Sequence, residues 1–111
     1  MPLAGQWWLF RTNVIAFEKD LPGVYELGDA DGTVVYIGSS NELRRRLQEH
    51  LDEDPRSCIQ QRVHQYRVEY TTEYHARERD LYHACVVVHG RAPICNQIRA
   101  ISPAAWSPTT S

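Results

Sequence analysis

The hydrophobic pattern of residues 22–51 predicts a β-hairpin followed by a helix. Runs rich in β-branched and aromatic residues lie at 23–27 and 33–37, and the sequence Asp-Ala-Asp-Gly separates them. Such runs, joined by residues that tolerate a positive φ, are typical of a hairpin. If the pairing centres near residues 30 and 31, Tyr25 and Tyr36 lie opposite each other on one face of the sheet.

After the hairpin the leucines take up helical spacing. Leu43, Leu47 and Leu51 recur every four residues, which predicts one buried helix face. Arg46 and His50 fall within the same arc of this helix. A partly buried arginine needs an anionic or hydrogen-bonding partner, because an unpaired buried charge is costly. We therefore expect two tyrosines, an arginine and a histidine to converge on one surface.

The rest of the chain predicts one further strand and two further helices. Residues 67–71 alternate and predict a third strand, and a short helix that begins near Asp54 precedes it. The longest helix is expected from about residue 73 to 88, with Glu78 at the border of its buried stripe and Gly90 as its stop. The predicted stripe consists of Tyr74, Leu81, Cys85 and Val88.

The element order β-β-α-α-β-α predicts the fold class. It corresponds to a small α/β sandwich in which helices flank a mainly antiparallel three-stranded sheet. The apolar segment 6–17 is expected to pack on this core as a strand or short helix, rather than to form an exposed dimer surface. We expect one domain over residues 1–101, with its core at 22–96, and a flexible tail at 102–111.

Hydropathy and cysteine usage predict a cytoplasmic protein. The chain has no run of 18 apolar residues and no recognisable secretory signal, so we expect no membrane association. Its three cysteines are widely spaced, which suits reduced thiols. A zinc-stabilised interaction domain is an alternative, although the paired spacing of structural zinc modules is absent. Its ligands would be His83, Cys85, His89 and Cys95.

The net charge of −2 argues against nucleic-acid binding by bulk electrostatics alone. Most of the basic residues lie from Arg44 onward, and Lys19 is the only lysine. The guanidinium group of arginine suits bidentate phosphate contacts, but a compositional bias towards arginine would give the same count. Charge therefore does not decide the matter.

Three motifs together resemble the GIY-YIG nuclease superfamily. They are Gly-Val-Tyr at residues 23–25, Tyr-Ile-Gly at 36–38, and Arg46 within a Leu-x-x-Arg-Leu pattern. The superfamily includes homing endonucleases, some restriction enzymes and the nuclease domain of the bacterial excision-repair protein UvrC. The resemblance covers residues 22–96. It departs from the family at Ser39, where many members have lysine, and in a longer separation between Glu78 and Asn96.

The resemblance implies a role for each matching residue. Tyr25 or Tyr36 would accept the proton of the attacking water, and His50 would polarise the Tyr25 hydroxyl. Arg46 would either supply positive charge beside the tyrosine or clamp the scissile phosphate. Glu78 would bind a single divalent metal ion. The implied catalytic residues are Tyr25, Tyr36, Arg46, His50 and Glu78. The implied substrate-binding residues are Gly38, Ser39 and Asn96. Asn96 also closes the family pattern and stabilises the site.

These roles imply a metal-dependent DNA endonuclease. It would use Mg²⁺ or Mn²⁺ to hydrolyse phosphodiester bonds and leave 5′-phosphate and 3′-hydroxyl ends, for example in DNA repair. The alternative is a catalytically lapsed or partner-dependent module that binds nucleic acid or protein. The sequence leaves open a homodimer or a partner subunit, and the structure of the nucleic acid.

Overall fold

A computed structural model describes Leu3 and residues 5–101 of the chain, without the side chains of 98–101. The predicted tail at 102–111 lies outside these residues. The strands of the described part are β1 Trp8–Leu9, β2 Gly23–Gly28, β3 Val34–Ser40 and β4 Gln65–Tyr70. Its helices are α1 Thr12–Ile15, α2 Leu43–Leu51, α3 Cys58–Arg62, α4 Tyr74–His89 and α5 Ile94–Ile101.

The strands form one antiparallel sheet in the order β1-β4-β2-β3. The predicted α/β class is confirmed, but the sheet has four strands rather than three. The additional strand, β1, comes from the apolar N-terminal segment and pairs with β4. Burial of that segment is only partial, because Ile15 is fully buried whereas Trp8 is 48% and Phe17 is 90% exposed.

The hairpin forms with a different register from the predicted one. Tyr25 pairs with Gly38, and Tyr36 pairs with Leu27. The turn causes this shift, since the Asp29 carboxylate accepts the backbone N–H groups of residues 31 and 33 while an irregularity follows Leu27. The displacement is two residues, so Tyr25 and Tyr36 still share one face of the sheet.

Both faces of the sheet are covered by helices, which explains why every residue of β2 is buried. On one face Tyr25 and Leu27 pack in a cluster with Leu43 and Leu47 of α2. On the other face Val24 and Ile37 of the sheet pack with Leu81 of α4. The sheet therefore separates α2 from α4, and side chains from both helices can meet only where a strand ends or at the sheet's edge.

One helix start and one helix face differ from the prediction. Helix α3 begins at Cys58, where Ser57 accepts a hydrogen bond from the Gln60 backbone, while the Asp54 carboxylate holds Arg56 instead. Helix α4 stops at Gly90, which has φ of 79°, as predicted, but Val88 in its expected buried stripe is 73% exposed. No helix in the described part is both long and apolar enough to cross a membrane.

The cysteines correct two expectations. Cys58 of α3 and Cys95 of α5 form a disulfide, so the prediction that all three thiols are reduced is wrong. Cys95 is thereby unavailable as a metal ligand, and the residues with described side chains contain no group of three or more His, Cys, Asp or Glu that could hold a metal ion. The proposed zinc site is not formed.

Reduction of this disulfide should lower the stability of the fold. The bond closes a loop across 37 residues of sequence separation, and loop-closure entropy alone corresponds to about 3–4 kcal/mol for a loop of this size. We expect the urea midpoint of the native chain to fall in dithiothreitol. The Cys58→Ser variant should unfold at that lower midpoint with or without the reductant, whereas Cys85→Ser should keep the response of the native chain. Equal midpoints for the oxidised and reduced native chain would contradict the prediction.

Candidate active site

Close packing between β2 and β3 places the Tyr25 ring. Tyr25 and Gly38 are cross-strand partners, and a Cβ atom at Gly38 would overlap the phenol ring and its oxygen. Glycine is required at this position because the ring occupies the space that any side chain would fill. Contact of Gly38 with a substrate, which the sequence suggested, stays a prediction.

The Tyr25 hydroxyl belongs to a buried hydrogen-bonded chain. Its oxygen lies 2.7 Å from Nε2 of His50, and Nδ1 of His50 lies 2.6 Å from Oε2 of Glu53. The His50 side chain is fully buried. A carboxylate can only accept a hydrogen bond, so Nδ1 carries the proton, and Nε2 is then free to accept from the tyrosine when the ring is neutral.

Three aromatic rings meet at this point, as the helical spacing predicted. The Tyr25 and Tyr36 ring centroids are 6.1 Å apart, and His50 lies 5.5 Å from the first and 5.3 Å from the second. Both contacts of His50 are close to edge-on. The imidazole is therefore held by two rings as well as by its hydrogen bonds, which fixes its orientation.

Arg46 lies beside the same tyrosines. Its Nη1 donates to Oε1 of Glu49 at 2.9 Å, and its guanidinium group interacts electrostatically with the phenol groups of Tyr25 and Tyr36. Partial burial by itself lowers the pKa of Arg46, but Tyr25, Glu49 and Tyr36 outweigh it and raise the pKa well above its ordinary value. The site consequently keeps a permanent positive charge next to the Tyr25 oxygen.

Glu78 reaches the end of β3 from the opposite face of the sheet. The Ser39 hydroxyl donates to Oε1 of Glu78 at 2.5 Å, and Ser39 directly follows Gly38 in the chain. This contact brings the Glu78 carboxylate to the end of β3, where Gly38 packs against the Tyr25 ring of β2. Its second oxygen has no hydrogen-bond partner among the described residues.

The residues around Glu78 fit a divalent cation held by a single carboxylate. Mg²⁺ commonly binds through one or two carboxylates and keeps several waters, whereas structural zinc needs four protein ligands. Glu78 lines an open groove on α4 with Tyr82 and His83, so its unpaired oxygen is accessible. The donor set is compatible with magnesium or manganese.

Asn96 binds the backbone of β3. Its Oδ1 accepts from the Ile37 N–H at 2.8 Å, and its Nδ2 donates to the Ile37 carbonyl at 3.0 Å. Ile37 lies between Tyr36 and Gly38, so the amide holds the segment that carries both. The structure therefore places Asn96 as a positioning residue, and its contact with a substrate stays a prediction.

Glu53 is a member of the site that the motifs do not indicate. In the sequence it lies in the acidic run Asp-Glu-Asp at residues 52–54. Its spacing of three residues from His50 was the available signal, because such pairs lie on one side of a helix. The helix ends at Leu51, however, and only the chain path beyond it shows that Glu53 turns back to the imidazole.

Solved structures with this fold include the GIY-YIG N-terminal endonuclease domain of UvrC from Thermotoga maritima. The form bound to magnesium aligns with a TM-score of 0.52 at 19% identity, covering 71% of this chain and 89% of that domain. A point mutant bound to its catalytic divalent cation aligns with a TM-score of 0.54 at 18% identity, covering 71% and 88%. At this identity the likeness establishes the fold.

A curated relative gives a shorter sequence match. The UvrABC system protein C of Saccharophagus degradans is 38% identical over 40 residues, which cover 36% of this chain and 6% of that protein. The matched segment is thus a small part of the length of this relative. This sequence match and the structural matches together define the chain as a protein of the GIY-YIG nuclease fold.

Residues 1–85 match the family described as "Domain of unknown function (DUF7508)", and the chain belongs to that family.

The packing of Tyr25 on Gly38 gives a direct test of the site geometry. In Gly38→Ala the new methyl group must displace the phenol ring, and we expect a loss of about 1–3 kcal/mol in the free energy of unfolding, as for other overpacked cores. Urea denaturation measures it. Gly5→Ala is the matched control, since the nearest atom to its Cβ is 4.0 Å away. Equal stability of both variants would show that the ring is not confined as described.

Proposed function

We propose that the chain is a metal-dependent DNA endonuclease that hydrolyses phosphodiester bonds to 5′-phosphate and 3′-hydroxyl ends. The observation that carries this proposal is the buried chain from Tyr25 through His50 to Glu53. It shares a strand end with the carboxylate of Glu78. A tyrosine that only packs in the core does not need an oriented histidine beside its hydroxyl. A tyrosine that acts as a general base does need one, because a group oriented by a carboxylate must take up its proton.

Glu78 is the residue that would hold the metal ion. A divalent cation bound there would supply positive charge to the phosphoryl oxygens and to the leaving 3′-oxygen. The hydrogen bond from Ser39 occupies Oε1 and fixes the rotamer of the carboxylate, which leaves Oε2 as the ligand atom. Ser39 therefore acts through Glu78 in this proposal, in the position where many family members have a lysine.

The proton of the attacking water would move along the buried hydrogen-bonded chain. The Tyr25 oxygen accepts this proton while its own hydroxyl proton passes to Nε2 of His50. Glu53 stabilises the resulting imidazolium through Nδ1, as the aspartate does in a serine-protease triad. The water oxygen forms the new bond to phosphorus, the bond from phosphorus to the 3′-oxygen breaks, and the 3′-oxygen takes a proton from solvent to become the 3′-hydroxyl.

Arg46 favours the same transfer by electrostatics. Negative charge develops on the Tyr25 oxygen as its proton leaves, and the Arg46 guanidinium group already interacts electrostatically with that side chain. A fixed charge in a partly buried site needs no reorganisation during the reaction, so its effect exceeds that of the same charge in water. Glu49 holds the guanidinium group in place through Nη1.

A cleavage assay with an isosteric variant tests the metal-binding role. We expect Glu78→Gln to lower Mg²⁺-dependent nicking of DNA at least about 100-fold, because it removes the ligand charge without changing the side-chain volume. The assay should compare duplex, branched, damaged and single-stranded substrates. The products should be ligatable at the nick only if they carry 5′-phosphate and 3′-hydroxyl ends.

Asp80→Asn is the matched control for this assay. It removes one negative charge from the same helix, two residues from Glu78, at an exposed position. It should cut at the rate of the native chain. Nicking that is equally fast in Glu78→Gln, or equally fast in EDTA, would refute the assignment of Glu78 as the metal ligand.

A second variant tests Glu53 as a positioning residue. Glu53→Gln should lower the cleavage rate by about 10- to 100-fold, a part of the contribution that general-base catalysis typically makes. The downfield NMR signal of the Nδ1–H proton of His50 should weaken or shift, since the charge-assisted hydrogen bond is lost. Asp52→Asn is the adjacent exposed control and should change neither the rate nor the signal. An unchanged His50 signal in Glu53→Gln would exclude the role.

A further inference from the structure

Among the arginines whose side chains the structure describes, six are paired with carboxylates and four are not. Among the side chains that the structure describes, the paired residues are Arg44, Arg45, Arg46, Arg56, Arg67 and Arg77. The described arginines without a carboxylate partner within salt-bridge distance are Arg11, Arg62, Arg79 and Arg91. Solvated, unpaired arginines are the ones available to bind an anionic partner.

Two of the unpaired arginines line one groove. This edge groove lies where β3 begins and α4 ends, has a volume of about 580 Å³, and is lined by Asp29, Arg62, Arg67, His89 and Arg91 among others. Arg62 and Arg91 are exposed. The Asp29 carboxylate is occupied by two backbone N–H groups of its own turn, so it competes weakly for the arginines.

The third arginine of the groove, Arg67, is held rigidly. Its Nε donates to Oε1 of the buried Glu26 at 2.8 Å, and its guanidinium carbon lies 4.2 Å from the centroid of a Trp7 ring. Its terminal amino groups have no hydrogen-bond partner within the described part of the chain. Glu26 cancels the charge of Arg67 but leaves these donors free, and a preorganised donor loses little entropy on binding.

The edge groove and the candidate active site lie along the same helix. Glu78 is near the start of α4, and His89 at its end lines the groove. The separation of eleven positions from Glu78 to His89 corresponds to about 16 Å at 1.5 Å per residue. A DNA strand in B-form rises about 3.4 Å per nucleotide, so this distance corresponds to about five nucleotides.

We propose that the edge groove binds the phosphate backbone of DNA about five nucleotides to one side of the cleaved bond, through Arg62, Arg91 and the fixed Arg67. This inference rests on the proposed function and adds the footprint of the substrate. Contacts of this kind orient the strand and carry no base specificity. They also make binding depend on salt, since each neutralised phosphate releases counterions.

Binding in EDTA tests the groove without cleavage. The probe is a fluorescein-labelled 30-nucleotide DNA, as a single strand and as a duplex, titrated over a range of NaCl concentrations. The double variant Arg62→Gln/Arg91→Gln should bind more weakly, and its slope of log K against log[salt] should be smaller by about two, one for each lost phosphate contact. Arg67 is left intact because its loss would leave Glu26 buried without a partner.

Matched variants separate charge from folding. Arg62→Lys/Arg91→Lys should retain most of the native slope because it keeps both positive charges. Arg11→Gln should bind like the native chain, since Arg11 is exposed and unpaired but adjoins β1 at the opposite edge of the sheet. In the Mg²⁺ assay, the native chain should cleave DNA with fewer than about five nucleotides on one side of the cut less efficiently than longer DNA. The short DNA cannot reach the edge groove, so its loss should match that of the double variant on long DNA.

The outcomes separate this proposal from the proposed function. If the native chain and the double variant bind with equal affinity and slope, and the native chain still cleaves, the groove assignment fails while the endonuclease stands. If the native chain neither binds nor cuts any of the DNA probes, both fail. Salt-dependent binding of RNA of the same sequence without binding of DNA would also overturn the proposal.

Discussion

The hydrogen bond between the Tyr25 hydroxyl and Nε2 of His50 joins the part of the candidate active site on the sheet to the part on helix α2. It connects the central strand β2 to helix α2 across the sheet's buried face at 2.7 Å, between two side chains that are almost fully buried. It forms only if Gly38 leaves room for the ring and if Glu53 orients the imidazole. Removing His50 or Glu53 takes one hydrogen bond from a buried polar group, and such a loss costs about 1–3 kcal/mol. Stability and the proposed chemistry thus depend on the same contacts.

The central motif could be predicted from the sequence because its determinants are local. Hairpin strands follow from β-branched runs around a turn, and Leu43 and Leu47 mark the buried face of α2 by their spacing alone. The same spacing correctly placed His50 in the interior. The hairpin register was wrong because it depends on how the turn closes, and the carboxylate of Asp29 sets that closure through two backbone hydrogen bonds.

The remaining differences arise from contacts between segments that are distant in the sequence. The disulfide joins Cys58 to Cys95, and no local pattern indicates which of three cysteines pair. The distribution of charge also depends on contacts that composition does not show. The net charge of −2 does not decide phosphate binding, because six of the described arginines are paired with carboxylates and the unpaired ones determine which surface is positive. Composition gives the sum of the charges, whereas binding depends on which charges are unpaired.

The position of β3 at the sheet's edge explains why Asn96 is needed. An edge strand has backbone N–H and C=O groups without a neighbouring strand, and it is free to fray or shift. The Asn96 amide bonds to both backbone groups of Ile37, as a residue of a further strand would. Cys95, the residue before it, is anchored to α3 by the disulfide. The one strand that carries Tyr36, Gly38 and Ser39 is therefore held from both sides, and the proposed active site has a rigid support where the sheet itself ends.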